Sequence, residues 1–182
     1  MTFFHLLFLP LYLGEMNSYE STIKRQTITL MSKSIATGDT IPDFSLLDQN
    51  GSEFNIKDKI GKPLVIYFYP KDDTPGCIRE ACTFRDQFDV FNDYGAEIIG
   101  ISTDSPASHL KFAKKYNLNF TLLSDQNRKV EKLFGVPRTA LGFLTGRVTY
   151  IVDKNGIVRH LFNSLFKAEQ HVDEALKIIS TF

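Results

Sequence analysis

The spacing of hydrophobic residues changes repeatedly along this 182-residue chain after Thr40, and each change predicts a new element. The run PLVIYFY, Pro63 to Tyr69, is continuously apolar, which is typical of a strand buried on both faces. EIIGIS, Glu97 to Ser102, predicts a second strand of this kind, and FTLLSD a short third one. VTYIVD and IVRHLF flank the pair Asn155-Gly156, a strong turn signal, and therefore predict an antiparallel hairpin.

Helices are predicted between these strands. Apolar residues at intervals of four and three from Cys77 to Phe91 form one stripe, which Gly95 ends. Ser105-Pro106 predicts an N-cap and first-turn proline, a short helix closes at Gly135, and Lys167 to Ile179 predicts a last amphipathic helix. Parallel crossovers followed by a late hairpin indicate an α/β protein with a central mixed sheet flanked by helices, for which a thioredoxin-like fold is the simplest match.

The first 35 residues follow a different pattern. The apolar run from Phe3 to Leu13 is too short to span a bilayer, and Pro10 interrupts it. No basic residue precedes it, which disfavours a signal peptide, whereas the Ser/Thr-rich stretch that follows fits an organelle transit peptide or a translation start at Met16 or Met31. We predict an N-terminal extension, residues 1–35, and one folded domain, residues 36–182.

Composition narrows the choice of partners. Lys plus Arg and Asp plus Glu are both 21, so no net charge draws the protein to nucleic acid or to an anionic membrane. Two cysteines are too few for a secreted disulfide scaffold, which favours a reducing compartment. We therefore predict a cytoplasmic protein, with an organelle or export as the alternative if the extension is a targeting segment. The four histidines are scattered and predict no metal site.

Both cysteines lie in YPKDDTPGCIREACTF, Tyr69 to Phe84. Thr74-Pro75 predicts an N-cap and a first-turn proline, which puts Cys77 in the first helical turn. Free backbone N–H groups and the helix dipole stabilise a thiolate there, so Cys77 is a candidate nucleophile. The alternative is a small buried residue on the apolar stripe.

Cys82 follows Cys77 by five residues, which separates their Cα atoms by roughly 8.6 Å in an intact helix. A disulfide tolerates about 7 Å at most, so the two thiols can bond only if the start of the helix unwinds. A disulfide formed after oxidation and local unfolding is a better hypothesis than a permanent cross-link.

The segment YPKDDTPGCIREACTFRD resembles the active site of the peroxiredoxins, specifically the bacterioferritin-comigratory or Q type. The family pattern P-x-x-x-T-x-x-C matches Pro70, Thr74 and Cys77, and Cys82 stands where this subgroup carries its resolving cysteine. GRVTYIVD supplies the matching arginine, Arg147. The resemblance extends over about residues 38 to 180.

The resemblance implies a thiol-dependent peroxidase for antioxidant defence, which reduces hydrogen peroxide and organic hydroperoxides without a cofactor or metal. Cys77 is then the peroxidatic thiolate, and Arg147 and Thr74 contact it or the peroxide. Pro70 shields the site from water, and Cys82 closes an intramolecular disulfide. A thioredoxin-like dithiol recycles the enzyme. Because resolution within one chain needs no second subunit, we expect a monomer.

Other residues of these segments carry weaker expectations. Glu80 is expected to be a solvent-exposed acid on the helix surface, and Arg138, in a loop beside Pro137, to have no catalytic role. Ile78 replaces the small polar residue usual in the family, which affects how easily the helix start unwinds. The apolar loop TALGFLTG is a candidate surface for a partner or a substrate tail.

Two other functions compete with this one. A protein disulfide oxidoreductase is disfavoured because that class spaces its cysteines as C-x-x-C. A redox-switched binding protein would expose Phe84, Phe88 and Phe91 when its helix unwinds. Sustained consumption of peroxide in the presence of a reductant distinguishes an enzyme from such a sensor.

Overall fold

The structure is a computed structural model that describes residues 34–139 and 142–182. The predicted extension, apart from its last two residues, and its apolar run lie outside the described residues. In the part of the chain that the structure describes, no helix is both long enough and apolar enough to cross a bilayer.

Seven strands form a mixed sheet in the order β2-β1-β5-β4-β3-β8-β9. Their bounds are β1 Ser45–Asp48, β2 Glu53–Asn55, β3 Leu64–Phe68, β4 Glu97–Ser102, β5 Thr121–Ser124, β8 Val148–Val152 and β9 Val158–Asn163. β3, β4 and β5 run parallel, and β8 is antiparallel to both β3 and β9. A separate ribbon pairs β6, Arg138–Thr139, with β7, Leu144–Thr145.

Five α-helices connect or follow these strands: α1 Pro75–Asp86, α2 Phe88–Asp93, α3 Pro106–Tyr116, α4 Lys129–Phe134 and α5 Ala168–Ile179. A short 3-10 helix, Ile56–Lys59, follows β2. The predicted thioredoxin-like α/β fold is confirmed, with its mixed sheet and flanking helices.

The central strand β3 is buried on both faces, as its apolar sequence predicts. Its alternate side chains join two separate hydrophobic clusters, because successive residues of a strand point to opposite faces. Ile66 and Phe68 pack in the cluster that contains Phe134 of α4. Val65 and Tyr67 pack on the other face, in the cluster that contains Cys77 and Phe84 of α1, Phe112 of α3 and Val172 of α5.

The single helix predicted between Cys77 and Phe91 is wrong, because the chain leaves helical geometry at Gln87 (φ −101°, ψ 6°) and starts a second helix. This break lets both Phe84 and Phe91 stay in the core, with ring centroids 5.8 Å apart. Asn155-Gly156 lies in the turn between β8 and β9, where the Asp153 carboxylate accepts the N–H groups of Asn155 and Ile157. The predicted hairpin is therefore confirmed.

Candidate active site

Cys77 lies near the start of α1, the helix that follows β3. Asp73 adopts a left-handed conformation (φ 56°), and Thr74 then occupies the N-cap of a helix whose first residue is Pro75. Cys77 is the third helical residue and is buried. The predicted position of Thr74 is confirmed, but its hydroxyl does not cap the helix; it donates to the carbonyl of Lys71 at 3.0 Å.

Arg147 reaches this helix start because of the sheet order. β8 runs antiparallel to β3, so the first residue of β8 pairs with the last of β3, and Arg147 directly precedes that point. Its Nη2 donates to the Cys77 Sγ atom at 3.3 Å, and its Nε donates to the carbonyl of Leu165 at 3.1 Å. A Cβ atom on Gly76 would lie 3.0 Å from Nη2, so glycine leaves room for the guanidinium.

Glu80 corrects an expectation from the sequence. It is fully buried rather than solvent-exposed, and its Oε2 accepts a hydrogen bond from Nη1 of Arg147. Glu80 follows Cys77 by three residues, which puts both side chains on one face of α1. Burial raises the pKa of Glu80 to about 8, although the charge of Arg147 opposes the shift. Burial lowers the pKa of Arg147, but Glu80 and Cys77 outweigh that effect and raise it.

His171 of α5 extends the buried cluster behind Glu80. Its Nδ1 lies 2.8 Å from the Thr149 hydroxyl and 3.7 Å from Oε1 of Glu80, and its Nε2 lies 2.9 Å from the carbonyl of Ser164. Burial lowers the pKa of His171 to about 4, so the ring is neutral near pH 7. A neutral ring satisfies both contacts if Nε2 donates to Ser164 and Nδ1 accepts from Thr149. The sequence analysis missed His171, since nothing local links it to Cys77.

The other predicted residues lie at different places. Cys82 is half-buried in the next turn of α1, and both thiols are free. Pro70 is half-buried directly after Tyr69, at the end of the buried run. Arg138 lies outside the cluster, with its Nε 3.2 Å from Oε1 of Glu131.

The arrangement favours oxidation of a thiolate. A permanent guanidinium charge and the free N–H groups of the first helical turn both stabilise negative charge on Sγ. The same donors can bind the oxygens of a peroxide. Among residues 34–139 and 142–182, no group of three or more His, Cys, Asp or Glu side chains is arranged to hold a metal ion. A thioredoxin-like fold with a buried thiol beside an arginine at a helix start is the arrangement expected of a thiol-dependent peroxidase.

Comparison with known proteins gives the family. The model of the AhpC/TSA family matches residues 37–161. The chain is 48% identical over 168 residues to peroxiredoxin Q of Sedum lineare, covering 90% of each chain, and 48% identical over 164 residues to that of Arabidopsis thaliana, covering 90% of this chain and 76% of the relative. The chain belongs to the AhpC/TSA family as a peroxiredoxin of the Q type. It is a thioredoxin-dependent thiol peroxidase, and the predicted family and function are confirmed.

Solved structures support the same family assignment. The bacterioferritin comigratory protein of Xanthomonas campestris, whose structure is described in terms of alkyl peroxide reduction, superposes with a TM-score of 0.71 at 30% identity. The match covers 76% of this chain and 90% of the Xanthomonas protein. Fold and sequence therefore assign the chain to the same group.

The predicted cytoplasmic location is wrong. The curated relatives from Sedum lineare and Arabidopsis thaliana are both chloroplastic proteins. A low cysteine count indicates a reducing environment, and a compartment that keeps thiols reduced is not restricted to the cytosol.

Proposed function

We propose that Cys77 is the peroxidatic cysteine and Cys82 the resolving cysteine of this peroxidase. The observation that carries the proposal is the 3.3 Å contact between Nη2 of Arg147 and the Cys77 Sγ atom in a buried site at a helix start. Cys82, further along α1, is only half-buried and interacts with Arg85 rather than with Arg147. The two thiols therefore differ in environment, as two successive roles require.

In the first step, the Cys77 thiolate attacks the nearer oxygen of a hydroperoxide. The S–O bond forms as the O–O bond breaks, sulfur is oxidised to sulfenic acid, and the departing alkoxide or hydroxide takes up a proton and leaves as alcohol or water. Arg147 stabilises the charge that passes from sulfur to the departing oxygen. Thr74 supplies a hydroxyl at the helix start, and Pro70, which has no N–H group, shields one side of the site.

In the second step, the Cys82 thiolate attacks the sulfenic sulfur of Cys77. An S–S bond forms, the S–O bond breaks, and the hydroxyl group leaves as water after gaining a proton. Both cysteines belong to α1, so the first turns of this helix must unwind before the sulfur atoms can meet. A dithiol of the thioredoxin class then reduces the disulfide through a mixed disulfide and leaves in its own disulfide form.

The test is the rate of thiol loss after one equivalent of hydrogen peroxide, followed by intact mass. We expect the wild type to lose both thiols and to become two hydrogens lighter as a monomer. Cys77→Ser abolishes the fast reaction, and Cys82→Ser stops at sulfenic acid. Thiol loss no faster than that of a free cysteine, or fast loss in Cys77→Ser, would refute the assignment of Cys77.

The proposal extends to organic hydroperoxides. Phe143, in the apolar loop that precedes Arg147, is 74% exposed, and Phe166, directly after the Leu165 that Arg147 contacts, is 85% exposed. Exposed aromatic rings can bind the apolar part of a substrate, and both rings are close in sequence to residues of the site. Comparison of kcat/KM for hydrogen peroxide and cumene hydroperoxide in Phe143→Ser and Phe166→Ser tests this; a selective loss for cumene hydroperoxide is expected.

The proposal includes a monomer with no nucleic-acid or membrane partner, which follows from resolution within one chain and from equal numbers of basic and acidic residues. Sedimentation at low micromolar concentration tests the monomer, and a dimer mass contradicts it.

The proposal also includes plastid targeting by residues 1–35 ahead of the domain 36–182, supported by the chloroplastic relatives. A fluorescent protein fused behind residues 1–35 should enter plastids, whereas one fused behind residues 36–182 should not.

A further inference from the structure

A second buried polar cluster lies outside the active site. It surrounds Asp72, in the loop that precedes α1. At its centre, the Asp72 carboxylate is buried and accepts hydrogen bonds from the hydroxyls of Tyr69 and Ser108, both at 2.8 Å. Nδ1 of His109 lies 3.0 Å from Oδ2 of Asp72, and Nε2 of His109 lies 3.2 Å from the carbonyl of Leu123. Three side chains, Tyr69, Ser108 and His109, thus hold the Asp72 carboxylate just before the helix.

Two of these contacts, Asp72–Ser108 and Asp72–His109, connect the loop to α3. Ser108 and His109 both belong to α3, Pro106–Tyr116. The next loop residue is also tied to this helix, because Nζ of Lys115 lies 2.8 Å from Oδ1 of Asp73. The Asp73–Lys115 pair is exposed and contributes little, whereas the buried Asp72 contacts are costly to break. Asp73 itself has a positive φ, which leaves it as the strained residue between the fixed loop and α1.

The far part of α1 is tied to the same helix. Nη1 of Arg85 donates to the carbonyl of Tyr116 at 2.7 Å, at the end of α3. This bond satisfies one of the carbonyl groups that a helix leaves without an internal partner. Arg85 also interacts with Cys82, which precedes it by three residues on α1. Arg85 therefore fixes the turn that follows the second cysteine.

We propose that α3 holds both ends of the segment 72–85, and that the Asp72–His109 pair and Arg85 are positioning residues that confine unwinding to the turns around Cys77 and Cys82. The inference rests on the proposed role of Cys82 in resolution. The anchors keep the thiol of Cys77 in its site for the reaction with peroxide. They also oppose the unwinding that brings Cys77 to Cys82. Weakening either anchor shifts the balance toward the unwound helix.

The experiment compares two rates in the wild type, Ser108→Ala and Arg85→Gln. Rapid-mixing fluorescence or quenched intact mass gives the rate of sulfenic acid formation and the rate of disulfide formation. Each variant should raise the ratio of the second rate to the first by about threefold or more, since one hydrogen bond to a charged group shifts an equilibrium by roughly a factor of ten. Each should also lower the fraction of protein oxidised to sulfinic acid at high peroxide, because disulfide formation competes with that reaction.

Lys57→Ala is the control, since it removes an exposed ion pair with Asp43 that does not involve the segment 72–85. A purely structural role of the anchors would lower the urea midpoint and leave the ratio of rates at its wild-type value in both variants, and that result would overturn the inference. A disulfide between the Cys77 residues of two Cys82→Ser chains, formed as fast as the wild-type disulfide, would instead refute resolution by Cys82, and with it this inference. Because Ser108→Ala and Arg85→Gln each remove only part of an anchor, both are expected to fold.

Discussion

At the scale of single residues, the Cys77 thiol shares Arg147 with Glu80. The carboxyl group of Glu80 is buried and contacts the guanidinium directly, so its protonation state decides how much positive charge is left for sulfur. A protonated Glu80 leaves the full charge to the thiolate, whereas an ionised Glu80 neutralises part of it. The site therefore contains an acid whose titration is coupled to both stability and reactivity.

Replacement of Glu80 by glutamine should change how stability depends on pH. The pKa of Glu80 is about 8 in the folded protein against an ordinary value of 4.5, so the folded state binds this proton more tightly. The contribution of Glu80 to the free energy of unfolding should therefore fall as pH rises from about 4.5 to about 8, by up to about 1.4 kcal/mol per pH unit.

Glu80→Gln removes this contribution. Urea unfolding of both proteins between pH 5 and pH 9 should give a difference, wild type minus variant, that declines up to about pH 8 and is then flat. His171, with its pKa lowered to about 4, gives the opposite slope below its ordinary value of 6.5, but it is present in both proteins and cancels. A difference that does not vary with pH would contradict the raised pKa.

Two neighbouring tyrosines give a matched pair of substitutions. Among the described residues, none forms a hydrogen bond with the buried hydroxyl of Tyr67, whereas that of Tyr69 donates to Asp72 at 2.8 Å. Tyr67→Phe should leave stability unchanged or raise it by up to about 1 kcal/mol, and Tyr69→Phe should lower it by about 1–3 kcal/mol, since it leaves a charged group with one partner fewer. Urea denaturation measures both, and equal losses would contradict this account.

At the scale of elements, helix ends decide where the functional residues lie. α1 begins at a proline after Thr74, which puts Cys77 among free N–H groups, and it ends before Gln87, which lets the chain turn into α2. Two further helices end near glycines with positive φ, Gly95 after α2 and Gly135 after α4. Left-handed geometry costs glycine less than other residues, so helices end readily at these two positions.

Gly95→Ala and Gly135→Ala should differ in cost. Both place an alanine at a positive φ, 67° and 62° respectively, which costs about 1–2 kcal/mol. A Cβ atom on Gly95 would meet nothing within 4 Å, whereas one on Gly135 would lie 2.5 Å from the Cα atom of Ser34. Thermal unfolding should therefore show a larger loss of stability for Gly135→Ala than for Gly95→Ala. Equal losses would show that the segment at Ser34 moves aside at no cost.

At the scale of the whole molecule, the proposed function gives the sheet and α1 separate tasks. β3, β4 and β8 are almost completely buried and hold Arg147 at a fixed place, whereas in the proposed mechanism α1 unwinds for the disulfide to form. The sheet therefore has to remain folded while this one helix opens. Such local opening is compatible with a stable core, since opening free energies differ between regions of one protein.

Hydrogen exchange should reveal this division. In the oxidised protein, the backbone amides of Cys77 to Phe84 should exchange at least about tenfold faster than in the reduced protein, because the disulfide is incompatible with an intact α1. The amides of Leu64–Phe68 in β3 should keep their protection. The Cys82→Ser protein, treated with the same peroxide, is the control and should keep α1 protected. Uniform acceleration across the sheet would contradict local unwinding.

Much of the fold follows from local patterns. Continuous apolar runs identified β3 and β4, because strands covered on both faces need apolar residues at nearly every position. The turn signal Asn155-Gly156 identified β8 and β9 as a hairpin. Ser105-Pro106 marked the start of α3, where the Ser105 hydroxyl accepts the N–H of Ser108. The break at Gln87 could not be predicted from the sequence, because the apolar stripe continues through this position. Only the packing of Phe84 against Phe91 explains the break.

The sequence by itself determined the helix start at Thr74-Pro75, the position of Cys77 in the first turn and the spacing of Cys82, because these depend on residues adjacent in the chain. Its resemblance to the peroxiredoxins also pointed to Arg147. Only the tertiary structure decided that Glu80 is a buried partner of Arg147 and that His171 lies behind it. Whether an acid on a helix is solvated or buried depends on what packs against that face, and here α5 and β8 come from far along the chain.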